Sequence, residues 1–348
     1  MSGPPGGCRA ILSVRGLHLT FTSRAQGGWR RRQVRAVDGV DLDVYEGETL
    51  AIVGESGSGK SSLARLFLGL VGPTAGSVLY RGQPIQSLRG AERRAWRRKV
   101  QAVFQDPASS LNPRMRVETT LAHVILEHEL ADKNAVRGVV AAGLNAVGLT
   151  PAEEYMPRYP HQLSGGQQQR VAIARAMALK PRLIIADEPL SSLDVSVQTQ
   201  ILDLMTALKR DTGIGLVMIS HDLAAVQSLA DRIAVMYRGR IVEIGADALR
   251  RPRHPYTQAL VDARLIANPR VARARRRIVL SGDAALAPAD ASGCCFRHRC
   301  PRAQPACEAA PALLSVEPGH LVACHFAGDD DDKAAAPALY DREPEKLG

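Results

Sequence analysis

The stretch Gly54-Glu-Ser-Gly-Ser-Gly59-Lys60-Ser61 constrains the fold of this chain more than any other. It fits the G-x-x-x-x-G-K-[ST] phosphate loop: glycines let backbone N–H groups converge on phosphates, the lysine neutralises them, and the serine hydroxyl faces Mg²⁺. Leu50-Ala51-Ile52-Val53, which ends at the loop, has the short apolar run of a buried parallel strand feeding a helix. Strand-like runs alternate with helical stretches along the chain, which implies parallel βαβ units and a covered sheet. Residues from about Asp106 to Leu163 depart from this, because Leu121–Leu126 and Val139–Val147 have helical apolar spacing with few strand signals. They read as a helical subdomain, about 106–165, inserted into the α/β core. At its end stands a second glycine-rich element, Leu163-Ser164-Gly165-Gly166-Gln167-Gln168-Gln169-Arg170. Its serine opens an expected helix, whose N-terminus would present N–H donors to an anion.

Four further segments fall between and beyond these two. They are Val103-Phe104-Gln105-Asp106-Pro107, Leu183-Ile184-Ile185-Ala186-Asp187-Glu188-Pro189, Ser191-Ser192-Leu193-Asp194, and Leu216-Val217-Met218-Ile219 followed by His221. Taken singly, each has an ordinary reading as a loop glutamine, a strand-end histidine or a solvated acidic pair at a helix start. In this order and at these intervals they resemble the ATP-binding-cassette (ABC) family.

The resemblance implies a RecA-like parallel sheet core, an antiparallel β subdomain and the inserted helical subdomain, together spanning 10–250. ATP and Mg²⁺ would be held by Gly54, Ser56, Gly57, Ser58, Gly59, Lys60, Ser61 and Ser62, with Ser61, Gln105 and Asp187 around the metal. Glu188 would polarise the attacking water, His221 would hold Glu188 and the γ-phosphate, and Lys60 would stabilise charge in the transition state. Ser164, Gly165, Gly166 and Gln167 form the signature and Asp194 the D-loop, both serving an ATP site shared with a second cassette. Phe21, closing the alternating Leu17-His18-Leu19-Thr20-Phe21, is the candidate for stacking on adenine, with a core aromatic on the first strand as the alternative.

At 348 residues the chain is too long for one minimal cassette and too short for two. No run of eighteen or more apolar residues occurs, so any pore would lie in other polypeptides, and the chain is expected at the cytoplasmic face of the membrane as a peripheral subunit. The net charge of +10 comes with basic clusters at Arg30–Arg32, Arg93-Arg94, Arg97–Lys99 and Arg273–Arg277. Solvated faces, an anionic membrane surface and nucleic acid all suit such clusters. Aromatic residues are only 4%, which argues against a single-strand stacking platform, and no direct nucleic-acid contact is expected.

Five of the six cysteines lie between Cys294 and Cys324, which in a cytosolic chain argues for metal rather than disulfides. Cys294, Cys300, Cys307 and Cys324 are spaced C-x5-C-x6-C-x16-C, without the C-x2-C knuckles usual in zinc ribbons. The surrounding Gly293-Cys-Cys-Phe-Arg-His-Arg-Cys300-Pro301 resembles the C-terminal extension of the oligopeptide/dipeptide importer ATPases. That resemblance implies a [4Fe–4S] cluster on the four cysteines. Zinc and an empty site remain alternatives, as does Cys295 in place of Cys294. Within the C-terminal extension, 251–326, few large apolar residues fall from about Asp283 to Phe326, so that part is expected to depend on a metal centre for its fold; the cluster is expected to be structural or partner-docking and to take no part in ATP chemistry.

Arg158-Tyr159-Pro160-His161-Gln162, Phe104–Pro113 and His254-Pro255-Tyr256-Thr257 also resemble the peptide/nickel importer branch, and the insertion after Phe21 looks like its second-ATPase type. The partners implied are a second ABC ATPase subunit in a heterodimer, two transmembrane permease subunits and an extracytoplasmic substrate-binding protein. A soluble ABC ATPase acting on nucleic acid or the ribosome is the alternative function, and an iron–sulfur redox regulator a further one. Residues 327–348, with Asp329-Asp-Asp-Asp-Lys333, read as an acidic tail, native or an expression remnant.

Overall fold

The computed structural model describes residues 9–24, 31–263 and 293–327. Cys8, Arg30, the Arg273–Arg277 cluster and nearly all of the acidic tail lie outside them. In chain order the strands are β1 (Ala10–Arg24), β2 (Arg31–Tyr45), β3 (Thr49–Val53), β4 (Ala75–Tyr80), β5 (Gln83–Pro84) and β6 (Val100–Val103). They continue with β7 (Leu183–Asp187), β8 (Gly215–Ile219), β9 (Arg232–Tyr237), β10 (Arg240–Gly245), β11 (Leu314–Glu317) and β12 (His320–Val322). The helices are α1 (Lys60–Phe67), α2 (Gly90–Lys99), α3 (Pro107–Ser110), α4 (Val117–Glu127) and α5 (Val136–Ala146). After them come α6 (Ala152–Tyr155), α7 (Gly165–Ala178), α8 (Val195–Thr212), α9 (Leu223–Leu229) and α10 (Pro255–Asp262).

Two sheets divide the strands. An antiparallel sheet runs β2-β1-β4-β5, and a mixed sheet runs β11-β12-β10-β9-β3-β8-β7-β6. Within the mixed sheet β9, β3, β8, β7 and β6 are mutually parallel. Every residue of β3 and β8 is buried, so their unbroken apolar runs match a sheet covered on both faces. One core joins the antiparallel sheet to the mixed sheet through Ile11, Leu50, Ile52, Phe67 and Trp96. A second packs the helices α4, α5 and α7 against Ile184, Ala186 and Met218 through Leu121, Leu144, Val171 and Ile173.

α7 starts on a capping box. Ser164 Oγ accepts from the Gln167 N–H at 3.3 Å, and Gln167 Oε1 accepts from the Ser164 N–H at 3.0 Å. α8 stops at Gly213, whose φ of 66° supplies the left-handed turn that closes the helix.

The C-terminal region is not a separate appendage. β12 pairs antiparallel with β10, and β11 with β12, so the extension lengthens the main sheet at its edge. Its core is shared too: Phe296, 1% exposed, sits among Tyr237, Tyr256 and His254, with ring centroids 5.3, 5.5 and 5.7 Å away. One aromatic residue placed against the cassette thus substitutes for the apolar content that the extension lacks.

Candidate nucleotide site and cysteine pocket

Three neighbouring parallel strands carry the nucleotide site at their carboxyl ends, the usual ligand edge of an open α/β sheet. β3 delivers the phosphate loop, β7 delivers Asp187 and Glu188, and β8 delivers His221. Gly54 and Gly59 are required by space as well as by backbone angle. A Cβ on Gly54 would stand 2.1 Å from the Met236 carbonyl, and one on Gly59 2.0 Å from that of Ala36. Lys60, 5% exposed, donates from Nζ to the Gly54 and Glu55 carbonyls at 2.8 Å each and reaches Ser58 Oγ at 3.4 Å. Burial lowers its pKa, against the opposing pull of Glu188, Asp187 and Glu55.

Ser61 Oγ donates to Asp187 Oδ1 at 3.1 Å, placing the two expected Mg²⁺ partners together. Burial raises the Asp187 carboxyl above its ordinary range, opposed by the Ser61 hydrogen bond. A half-buried carboxylate beside a serine hydroxyl is a donor set of oxygens that suits Mg²⁺. Glu188 has φ of 49°, left-handed for a non-glycine residue, and its N–H donates to the Ile219 carbonyl at 2.9 Å. Its Oε2 lies 3.4 Å from His221 Nδ1. Strain of this kind is held only where surroundings impose it, and here it turns the carboxylate away from the strand toward His221.

Gln105 is exposed at the end of β6, where its carbonyl accepts from Ser192 Oγ at 3.4 Å. The signature stands on a different element. Ser164 and Gly165 are exposed at the start of α7, and Gly166 packs so closely on Val197 that a Cβ would meet its Cγ1 at 2.5 Å. Gly165 faces Leu193, so the signature and the D-loop, with exposed Asp194 as N-cap of α8, form one outward surface. Ser56 and Gly57 are also exposed, and Ser62 is half-buried on α1. Phe21 is 44% exposed and pairs with Val34, so it is no core aromatic.

Residues 37–191 match the ABC transporter family and residues 242–307 the oligopeptide/dipeptide transporter C-terminal region. The oligopeptide transport ATP-binding protein OppF of Escherichia coli is 42% identical, over 93% of this chain and 98% of its own. AppF of Bacillus subtilis, of the same description, is 42% identical over 91% of this chain and 97% of its own. This chain belongs to the ABC transporter family. It is an ATPase of that family's oligopeptide/dipeptide branch. The dimeric post-hydrolysis structure of the ATP-binding cassette MJ0796, bound to ADP and Pi, superposes with a TM-score of 0.58. It is 30% identical and covers 66% of this chain and 96% of that one.

In this ABC ATPase the extension brings the distant cysteines together. Cys294, Cys300, Cys307 and Cys324 line one pocket, closed in by His254, Phe296, Arg302 and Phe326. Cys295 is not on its wall. A hydrogen bond from the Cys295 thiol, helped by one from His254, draws Cys294 below the usual thiol range against its burial. Burial and that same bond push Cys295 up. His254 Nδ1 accepts from the Tyr256 N–H at 3.0 Å.

Among the described residues, no three His, Cys, Asp or Glu side chains converge closely enough to hold a single ion. Four thiolates on one zinc would have to stand about 3.8 Å apart, given Zn–S bonds of about 2.3 Å. Four cysteines lining one pocket are the kind of donor set that an iron–sulfur group would need.

Sequence reasoning missed three residues. Glu55 falls at an unspecified position of the phosphate-loop pattern, and Tyr256 and Arg299 stand only within segments that resemble the importer branch, with nothing to link the three. In the structure the three meet.

Proposed function

We propose that this ATPase powers uptake of peptides by a membrane importer, paired with a second cassette and docked on two permease subunits at the cytoplasmic face. The observation that carries this reading is the continuity of the match, in which the cassette and the oligopeptide-type C-terminal region fall in one chain along nearly the full length of its relatives. Among the described residues no helix is long and apolar enough to cross a membrane, which agrees with a pore supplied by other chains. An extracytoplasmic binding protein would deliver the peptide. Expression with the genes of neighbouring permeases and a second ATPase should yield one complex whose hydrolysis in liposomes rises when binding protein and peptide are added. Nucleic acid in place of permeases in the purified complex would overturn the reading.

Chemistry follows from the side chains. ATP seats its β- and γ-phosphates on the loop N–H groups, and Lys60 exchanges its carbonyl contacts for phosphate oxygens. Ser61 and Asp187, with Gln105 as a further candidate, would hold Mg²⁺, which would supply charge neutralisation at the phosphates. Glu188 accepts a hydrogen bond from the attacking water, while His221 fixes the carboxylate and touches the γ-phosphate. Ser164, Gly165, Gly166 and Gln167 of one cassette complete the site of the other.

We infer that the four-cysteine pocket holds a [4Fe–4S] cluster, supported by the four cysteines that line one pocket beside His254. Such a group supplies covalent cross-links between segments that lack a core of their own. Anaerobically purified protein is expected to be brown, with about four iron per chain. Cys300→Ser or Cys324→Ser should bleach it, whereas Cys295→Ser should retain the iron. One zinc per chain after anaerobic preparation would exclude the cluster.

A further inference from the structure

The phosphate loop is gripped from the C-terminal extension. Glu55, the second residue of the loop, turns its carboxylate toward the extension, where Arg299 Nη1 donates to Oε2 at 2.8 Å and Nη2 to Oε1 at 3.2 Å. The Arg299 side chain is 11% exposed, and its guanidinium lies 5.9 Å from the centre of the Tyr237 ring. From α10 the Tyr256 hydroxyl accepts from the Glu55 N–H at 2.8 Å. After β9, Gly239 N–H donates to the Ser58 carbonyl at 2.8 Å. Two of these three tethers come from beyond the minimal cassette.

Glu55 poses an electrostatic problem. A carboxylate one residue after Gly54 stands within reach of Lys60, whose ammonium it perturbs, and the same field opposes an incoming triphosphate. A bidentate guanidinium cancels that charge and fixes its direction.

We propose that Arg299 is a positioning residue for ATP binding: acting through Glu55, it neutralises and orients the phosphate loop, so the extension sets the cassette's affinity for ATP. Arg299 directly precedes Cys300, so the pocket wall and the phosphate loop share one rigid connection.

Charge logic makes the test specific. Fluorescent-ATP titration and steady-state hydrolysis on the full chain with its partner subunit would compare Arg299→Gln, Arg299→Lys, Arg299→Met, and Arg299→Gln combined with Glu55→Gln. Arg299→Gln leaves Glu55 uncompensated and is expected to raise the ATP Kd and KM about tenfold, the order of one charge-assisted hydrogen bond, with kcat within about twofold. Arg299→Lys keeps the charge but gives up the bidentate fork, so it is expected to fall between wild type and Arg299→Gln. The double variant removes the offending carboxylate and should bring Kd back to within about threefold. A purely structural role gives no such rescue, since a second substitution would only add to the damage. Arg299→Met keeps the stem packed on Tyr237 and reports the same Kd change if Arg299→Gln does not fold. An unchanged Kd in the charge-removing variants, or a double variant as weak as Arg299→Gln, would overturn the assignment.

Discussion

Glu188→Gln lowers ATP turnover by about 10²–10⁴ while nucleotide stays bound, the loss expected when a positioned general base is removed. The amide keeps the size of the carboxylate and the backbone bond from Glu188 N–H to the Ile219 carbonyl, so the left-handed geometry at this position survives. Asp187, Ser61 and the loop glycines are untouched, and the phosphate cradle with them. What disappears is the negative charge next to His221, 3.4 Å away, and with it the acceptor for a water proton. Phosphate release by the assembled transporter measures the loss, and nucleotide retention on gel filtration measures the binding. The variant should accumulate as an ATP-bound closed dimer. Turnover within about tenfold of wild type would mean that another group activates the water.

Where this chemistry lies was legible because each motif is local. A phosphate loop, an apolar strand ending in Asp187-Glu188 and a strand ending before His221 each declare themselves within about ten residues, and parallel pairing of β3, β7 and β8 then aligns their carboxyl ends. α7 announced its own start through Ser164 and Gln167, a capping box readable as sequence. The tether from Arg299 to Glu55 joins residues far apart in the chain, with no periodicity or spacing to expose it. The same holds for Phe296 in its cage of Tyr237, Tyr256 and His254: composition counts few apolar residues around the cysteines, and part of the missing surface, Tyr237, is on the cassette.

Phe21 illustrates a subtler failure of pattern. Leu17, Leu19 and Phe21 alternate as one face of a strand, yet their exposures are 0%, 5% and 44%. β4 stops pairing with β1 at His18, and the ladder with β2 shifts register between Leu19 and Thr20. Beyond that point β1 and β2 form a two-stranded ribbon that leaves the core, where an aromatic is free to meet a base. Alternation alone does not report where the third strand ends.

Ser164→Arg is expected to cut hydrolysis at the partner's phosphate loop by about 10² or more while ATP binding at this chain's own loop changes less than about twofold. Ser164 stands at the exposed N-terminus of α7, its hydroxyl accepting from the Gln167 N–H, and the packing of Gly165 and Gly166 on Leu193 and Val197 turns that N-terminus outward. Donors aimed at solvent from this position have a use only if a second cassette brings its γ-phosphate to them, and a bulky guanidinium would fill that space. Loss of the N-cap alone costs about 1 kcal/mol, so Ser164→Ala separates helix fraying from obstruction and should retain most of the partner's activity. Photolabelled nucleotide trapped by vanadate, counted on each of the two cassettes when this chain is paired with a second ATPase subunit, distinguishes the two sites. Equal loss of labelling at both loops would show that the signature serves its own Lys60, and the shared-site arrangement would fall.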